Sequence, residues 1–232
     1  MDFIAFGLAW YAVFVVSLVF HEASHAFVAM KLGDKTAYYA GQVTLNPEPH
    51  IRREPFGTIL VPIVAYIMSG RMIGWASAPY DPYWAARYPK RAAYMGLAGP
   101  AANFGLMLVA AIFVHVGIMA GIFYQPETIT FTTVVMPTQD GLANGAAIFT
   151  SILFSLNCVL FVFNLIPLPP LDGTAWMELL LNGEALDKYR QFISNPSTRF
   201  MGLLVAWIFF DFIFSPLHSV ALSLLYFGST YN

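Results

Sequence analysis

The sequence predicts an all-α polytopic membrane protein, and three observations carry that expectation. Of its 232 residues, 58% are hydrophobic and only 10% are charged, against about 25% charged in an ordinary soluble domain. Phe3 to Phe20, Ala92 to Tyr124 and Gly141 to Leu171 contain no Asp, Glu, Lys or Arg. An aromatic content of 16%, set within these apolar runs, excludes a disordered chain. The net charge of −2 supplies no basic surface, which excludes a nucleic-acid partner, and the single cysteine, Cys158, cannot build a disulfide framework or a thiolate metal cluster.

A crossing helix needs about 20 mostly apolar residues, because no water is present to satisfy its backbone. Four main transmembrane helices are expected. The first begins with Phe3–Phe20, and its helical pattern continues to Leu32 before Gly33 stops it. With no basic residue ahead of it and no convincing cleavage site behind it, it reads as a retained anchor. The second lies in Ala92–Tyr124, the third at about Ala146–Leu165, and the fourth in Phe200–Phe227, interrupted by Asp211 and His218.

Phe56–Ser69 differs: it is short, carries Pro62 and lies between Glu54 and Arg71. It is expected to be a re-entrant or short fifth segment. If it re-enters, all 11 Lys and Arg residues fall on one side, which the positive-inside rule places in the cytoplasm, and both termini fall on the other. Tyr38–Leu45 has β-branched and aromatic residues in partial alternation, which predicts a small hairpin or strand at the membrane edge (about 36–46). Such an edge would accept an extended peptide by strand addition, although a plain loop cover fits equally well. Gly117 and Gly121 form a GxxxG pattern, weak support for a homodimer.

The chemistry concentrates in His21-Glu22-Ala23-Ser24-His25, an HExxH motif inside the first apolar helix. Residues four apart share a helix face, so both imidazoles can bind one metal with Glu22 beside the open position. The bland alternative is a pair of histidines snorkelling at the helix end. Gly33 ends the helix about 18 Å beyond His21, at 1.5 Å per residue, and groups at that depth are costly without a partner or a function.

A catalytic zinc takes three protein ligands plus water, so a third ligand must come from elsewhere. Pro167, Pro169 and Pro170 end the third helix and leave Asp172-Gly173 in a non-helical segment on the side of the two histidines. Alone, that dipeptide would read as a turn. His50 is the rival third ligand. His115 and His218 read as packed or interfacial histidines, and Asp211 as an internal pair or a polar path.

HExxH at 21–25, Gly99-Pro100-Ala101-Ala102-Asn103-Phe104 in the second span, and Asn164…Pro167…Pro169…Leu171-Asp172-Gly173 after the third resemble the site-2 protease family of intramembrane zinc metalloproteases. Thr44-Leu45-Asn46-Pro47, His50, Phe56-Gly57-Thr58 and Gly74-Trp75-Ala76 are similar to its compact bacterial and archaeal branch, which lacks PDZ and CBS domains. Arg52 and Ser77 depart from that branch, where an acidic and a basic residue often stand.

The resemblance implies a single integral-membrane domain over 1–232, with a catalytic core at about 3–173 and a C-terminal transmembrane helix at about 200–227. It implies one Zn2+ held by His21, His25 and Asp172, Glu22 as catalytic carboxylate, and Asn103 and Asn164 as substrate-binding or oxyanion residues. Both amides read equally well as helix-to-helix glue. The expected activity is hydrolysis of a peptide bond within or near a transmembrane segment of a membrane-protein substrate, in the manner of regulated intramembrane proteolysis. The expected setting is a prokaryotic cell membrane, with a regulatory membrane partner or a second copy compatible with it.

Two other function classes use the same residues. A membrane receptor or scaffold with a structural metal would need a closed site, usually of four protein ligands. A metal transporter would need a path onward, yet the opposite loop offers only Glu127 and Asp140.

Overall fold

The computed structural model describes residues 3–226, with the side chains of Arg199 and Asp211 outside the described set. In chain order the helices are α1 (Phe3–Leu32), α2 (Thr36–Tyr39), α3 (Pro47–Arg53), a π-helical turn (Phe56–Leu60) leading into α4 (Val61–Ser69), α5 (Pro82–Arg87) and α6 (Pro89–Met119). Two short strands, β1 (Phe123–Tyr124) and β2 (Met136–Pro137), precede α7 (Leu142–Asn164), α8 (Thr174–Leu180), α9 (Gly183–Ser194) and α10 (Pro196–Leu225).

Among the described residues three helices, α1, α6 and α7, are each long and apolar enough to cross a membrane. The fourth expected span corresponds to α10, whose halves Pro196–Phe210 and Phe212–Leu225 meet at 51°. Pro216 lies inside that helix, and its ring crowds the carbonyl four residues earlier, at Phe212. The end of the predicted fourth span, at Phe227, lies outside the described residues.

The Phe56–Ser69 segment stays short. At 1.5 Å per residue its 14 residues reach about 21 Å, below the ~30 Å of a bilayer core. Gly70 ends it with a left-handed φ of 70°.

The strand expected at about 36–46 is displaced. The two-stranded antiparallel ladder pairs Phe123 with Pro137 and Tyr124 with Met136, in the α6–α7 connection. At 36–46 a local contest goes to a helical turn. Asp34 Oδ1 accepts from the Thr36 amide (2.9 Å) and hydroxyl (2.6 Å), which starts α2. The Gln42 amide then donates to the Ala37 carbonyl at 2.9 Å. Asp34 Oδ2 also accepts from the Asp81 amide at 2.8 Å, tying the end of α1 to the start of α5. Burial opposes ionisation of Asp34, but the Thr36 hydroxyl and the Asp81 and Thr36 amides outweigh it and hold the carboxyl below its usual range.

The core lies where α1, α6 and α7 meet, with Trp10, Val13, Phe14, Val114, Ile152 and Phe154 almost wholly buried. The outer faces keep large apolar residues exposed, among them Ile112, Phe113 and Val116 of α6 and Trp207 and Ile208 of α10. A face of that kind suits lipid contact. The GxxxG pair is used within the chain: a Cβ on Gly117 would collide with the Phe123 ring, and Gly121 takes φ 68° just past the end of α6.

Candidate metal centre

One helical turn separates His21 from His25 on α1, and their rings lie edge to face at 4.6 Å. Asp172 comes from the loop that follows α7. That loop is tightly folded: the Trp176 indole donates to the Leu165 carbonyl at 2.9 Å. A Cβ on Gly173 would collide with the backbone of Leu165 and Ile166. The Asp172 carbonyl accepts from the Ala175 amide at 2.8 Å as α8 begins, and α8 packs on α6.

The result is a compact trio. Asp172 Oδ2 lies 2.9 Å from His21 Nε2 and 3.3 Å from His25 Nε2, and the two Nε2 atoms are 3.0 Å apart. Both histidines are buried and Asp172 is half-buried. Gly99 of α6 makes the approach feasible, since any Cβ there would collide with both imidazoles.

The proton positions follow from the partners. His21 Nδ1 lies 2.6 Å from Asn103 Oδ1, and His25 Nδ1 lies 2.8 Å from the Met95 carbonyl. Both partners can only accept, so each Nδ1 carries its proton and each neutral ring turns an Nε2 lone pair inward. With both rings neutral, two nitrogen lone pairs and a carboxylate oxygen face one another. Such a set calls for a cation.

Zinc fits it. Tetrahedral zinc with bonds of about 2.0–2.1 Å has ligand-to-ligand edges near 3.3 Å, close to the observed 2.9–3.3 Å. Three ligands leave the fourth position open, as a catalytic site requires. The carbonyl-type acceptors behind both rings are the outer support that usually orients histidine ligands.

The other predicted residues divide. Glu22 is buried, 6% exposed, and makes no hydrogen bond or ion pair among the described residues. Asn103 is wholly buried and its amide is committed: Oδ1 to His21, Nδ2 to the Ser17 carbonyl (3.3 Å) and to Asn157 Oδ1 (2.9 Å). Asn164 is half-buried and donates to the Leu160 carbonyl of its own helix at 3.0 Å.

His50 does not join the trio; its Nε2 donates to the Thr44 carbonyl at 3.0 Å. His115 lines an apolar cavity with Phe154 and Leu224, and His218 stacks on Phe214 at 5.0 Å. Arg52 pairs with Glu48, and Ser77 donates to Glu54 at 2.7 Å, so both departures from the branch pattern make local contacts. Sequence reasoning missed Ser17, Asn157 and the Met95 carbonyl. An amide in the middle of an apolar helix was a signal for Asn157; a backbone carbonyl gives none.

Two cavities flank the centre. One, of about 510 Å3, reaches Asp172 and is lined by Tyr80, Gly96, Thr174, Glu178 and Arg190. The Arg190 guanidinium grips Glu178 there, Nη2 at 2.7 Å and Nε at 3.0 Å. The other, of about 530 Å3 and mostly apolar, lies between Ala23, Ser24 and Phe27 of α1, the Val43–Leu45 segment, and Ala98, Ala101 and Ala102 of α6.

The sequence model of peptidase family M50 matches residues 9–206. The chain is 34% identical over 168 residues to the Bacillus subtilis protein YwhC, described as a candidate zinc metalloprotease, covering 72% of this chain and 66% of that one. Rip2 of Mycolicibacterium smegmatis, described likewise, is 30% identical over 210 residues, covering 85% of this chain and 71% of that one. Rip2 of Mycobacterium tuberculosis H37Rv is 29% identical over 202 residues, covering 80% and 66%. The chain therefore spans about two thirds of the length of these relatives. No solved structure matches it significantly. The family match runs from α1 into α10 and takes in both histidines, Glu22 and Asp172, and on that extent the chain belongs to peptidase family M50, the site-2 protease family.

Proposed function

We propose that this chain is a zinc-dependent intramembrane endopeptidase that cuts a membrane-protein substrate within or near a transmembrane segment. The observation that carries the reading is the meeting of three lone-pair donors, His21 Nε2, His25 Nε2 and Asp172 Oδ2, with the buried Glu22 on the same turn of α1 as the two histidines. A carboxylate within an apolar helix is expensive unless it has a partner or a function.

When bound, zinc supplies Lewis acidity and brings the pKa of water toward ~7. His21, His25 and Asp172 hold it. Glu22 takes the proton of the attacking water and returns it to the leaving amine nitrogen. The cavity that reaches Asp172 is polar enough to deliver water. The apolar groove beside α1 suits the substrate chain, with Val43–Leu45 along one wall. Asn164 serves the substrate backbone. Asn103 orients His21 instead, because both its donors are already engaged. A helical substrate hides its carbonyls in internal hydrogen bonds, so segments with helix-weakening residues are cut preferentially.

The catalytic core spans about 3–173, the C-terminal helix packs beside it, and the basic loops face the cytoplasm of a prokaryotic cell in a regulated proteolytic step. Purified protein in detergent, given a transmembrane peptide, tests this reading. Glu22→Gln should keep its zinc and lose cleavage, and a chelator should stop the wild type until zinc is restored. Cleavage by Glu22→Gln at the wild-type rate would reject the assignment. Metal flux in proteoliposomes without peptide cleavage would favour a transporter.

A further inference from the structure

Behind His21 lies a chain of side-chain amides whose far end, Asn157, no motif at the metal centre includes. Asn157, in the middle of α7, donates from Nδ2 to the Leu153 carbonyl at 2.8 Å and to Ser17 Oγ at 2.9 Å. The Leu153 carbonyl can only accept, and the Ser17 hydroxyl already donates to the Val13 carbonyl at 2.8 Å. Both therefore require the NH2 end of Asn157, which turns its Oδ1 toward Asn103. Asn103 answers with Nδ2 at 2.9 Å, leaving its own Oδ1 for His21 Nδ1 at 2.6 Å. Ser17, Asn103 and Asn157 are all 0% exposed, so no solvent competes for these bonds.

We propose that Asn157 is a positioning residue for the metal centre: through Asn103 it fixes the tautomer of His21 and so keeps the Nε2 lone pair directed at the metal. This rests on the zinc-centre reading above. Without the Asn157 oxygen, Asn103 Nδ2 keeps only its 3.3 Å bond to the Ser17 carbonyl. The amide is then held against a flip by one long bond instead of two, and a flipped amide would present NH2 to His21 Nδ1 and drive the ring proton onto Nε2, the atom that should bind metal. His25 is insulated, because its Nδ1 is held by the backbone carbonyl of Met95.

The test uses the full chain in detergent, with zinc affinity from chelator competition and the visible spectrum of the cobalt-substituted protein. Asn157→Leu should bind zinc ten- to a hundredfold more weakly, the range for loss of an outer-shell partner, and should shift the cobalt bands. Ser155→Ala, at an equally buried hydroxyl with no partner on the same helix, should change neither. Adding Asn103→Asp to Asn157→Leu should recover affinity to within about fivefold, because a carboxylate has no amide end to turn toward His21; a packing role would give no such rescue. Wild-type affinity in Asn157→Leu, or no recovery in the double variant, overturns the proposal while leaving the zinc reading intact. Failure of the wild type to bind zinc overturns both. If Asn157→Leu does not fold, Asn157→Ser carries the same arms with the same outcomes.

Discussion

The α1–α6–α7 junction and α10 are both apolar helical regions, yet only the junction links side-chain polar groups of different helices into a chain. At the junction Ser17, His21, His25, Asn103 and Asn157 are buried and hydrogen-bonded, each partner fixing the next. In α10, His218 stacks on Phe214 while its Nε2 is buried without a hydrogen-bond partner among the described residues. The difference shows where geometry is specified. A satisfied polar chain in a low-dielectric interior fixes one arrangement, whereas the α10 face rests on apolar contact and bends near Pro216. Substitutions should therefore act on metal and chemistry at the junction and hardly at all in α10.

The largest effect should come from the trio. Asp172→Ala should cost zinc at least a hundredfold in affinity by chelator competition, whereas His50→Ala should leave zinc content unchanged. Loss of zinc from the His50 variant would move the third ligand to the α3 region.

Next comes the helix contact that admits the imidazoles. Gly99→Ala places a Cβ against both rings, while Gly105→Ala on the same helix meets open space. The first should lower zinc affinity tenfold or more, the second not measurably. Equal behaviour of the two would mean that α6 does not set the approach.

A smaller effect is expected of pH at the α1–α5 clamp. Asp34 has a folded pKa below its unfolded value near 3.9, so its contribution to stability is complete above about pH 4–5 and is lost as pH falls through the folded value. Thermal unfolding followed from pH 7 down to pH 3 should show that loss, and Asp34→Asn should flatten it. The smallest change belongs to α10: His218→Phe keeps the stacking and removes the orphaned nitrogen. Its unfolding free energy should move by no more than about 1 kcal/mol, with zinc affinity unaltered.

Much of this was legible in the sequence because it depends on spacing. HExxH places two rings on one helix face wherever the helix forms, and prolines after α7 leave Asp172 free of helical constraint. The apolar runs marked α1, α6 and α7 with their order and rough ends. What escaped depends on competition between local and distant bonds. Tyr38–Leu45 carries strand-like residues, but Asp34 captures the Thr36 amide and hydroxyl first. Asn103 is visibly an amide in a membrane helix, yet only the packed structure tells which end faces His21. Asn157 has the same chemical signature but stands in no recognisable motif.

X-ray absorption at the zinc edge of the purified protein examines the metal centre most directly. It should report nitrogen and oxygen neighbours at about 2.0–2.2 Å and no sulfur, with an imidazole lost in His21→Ala and in His25→Ala. A zinc environment untouched by substitution of His21, His25 or Asp172 would contradict the assignment.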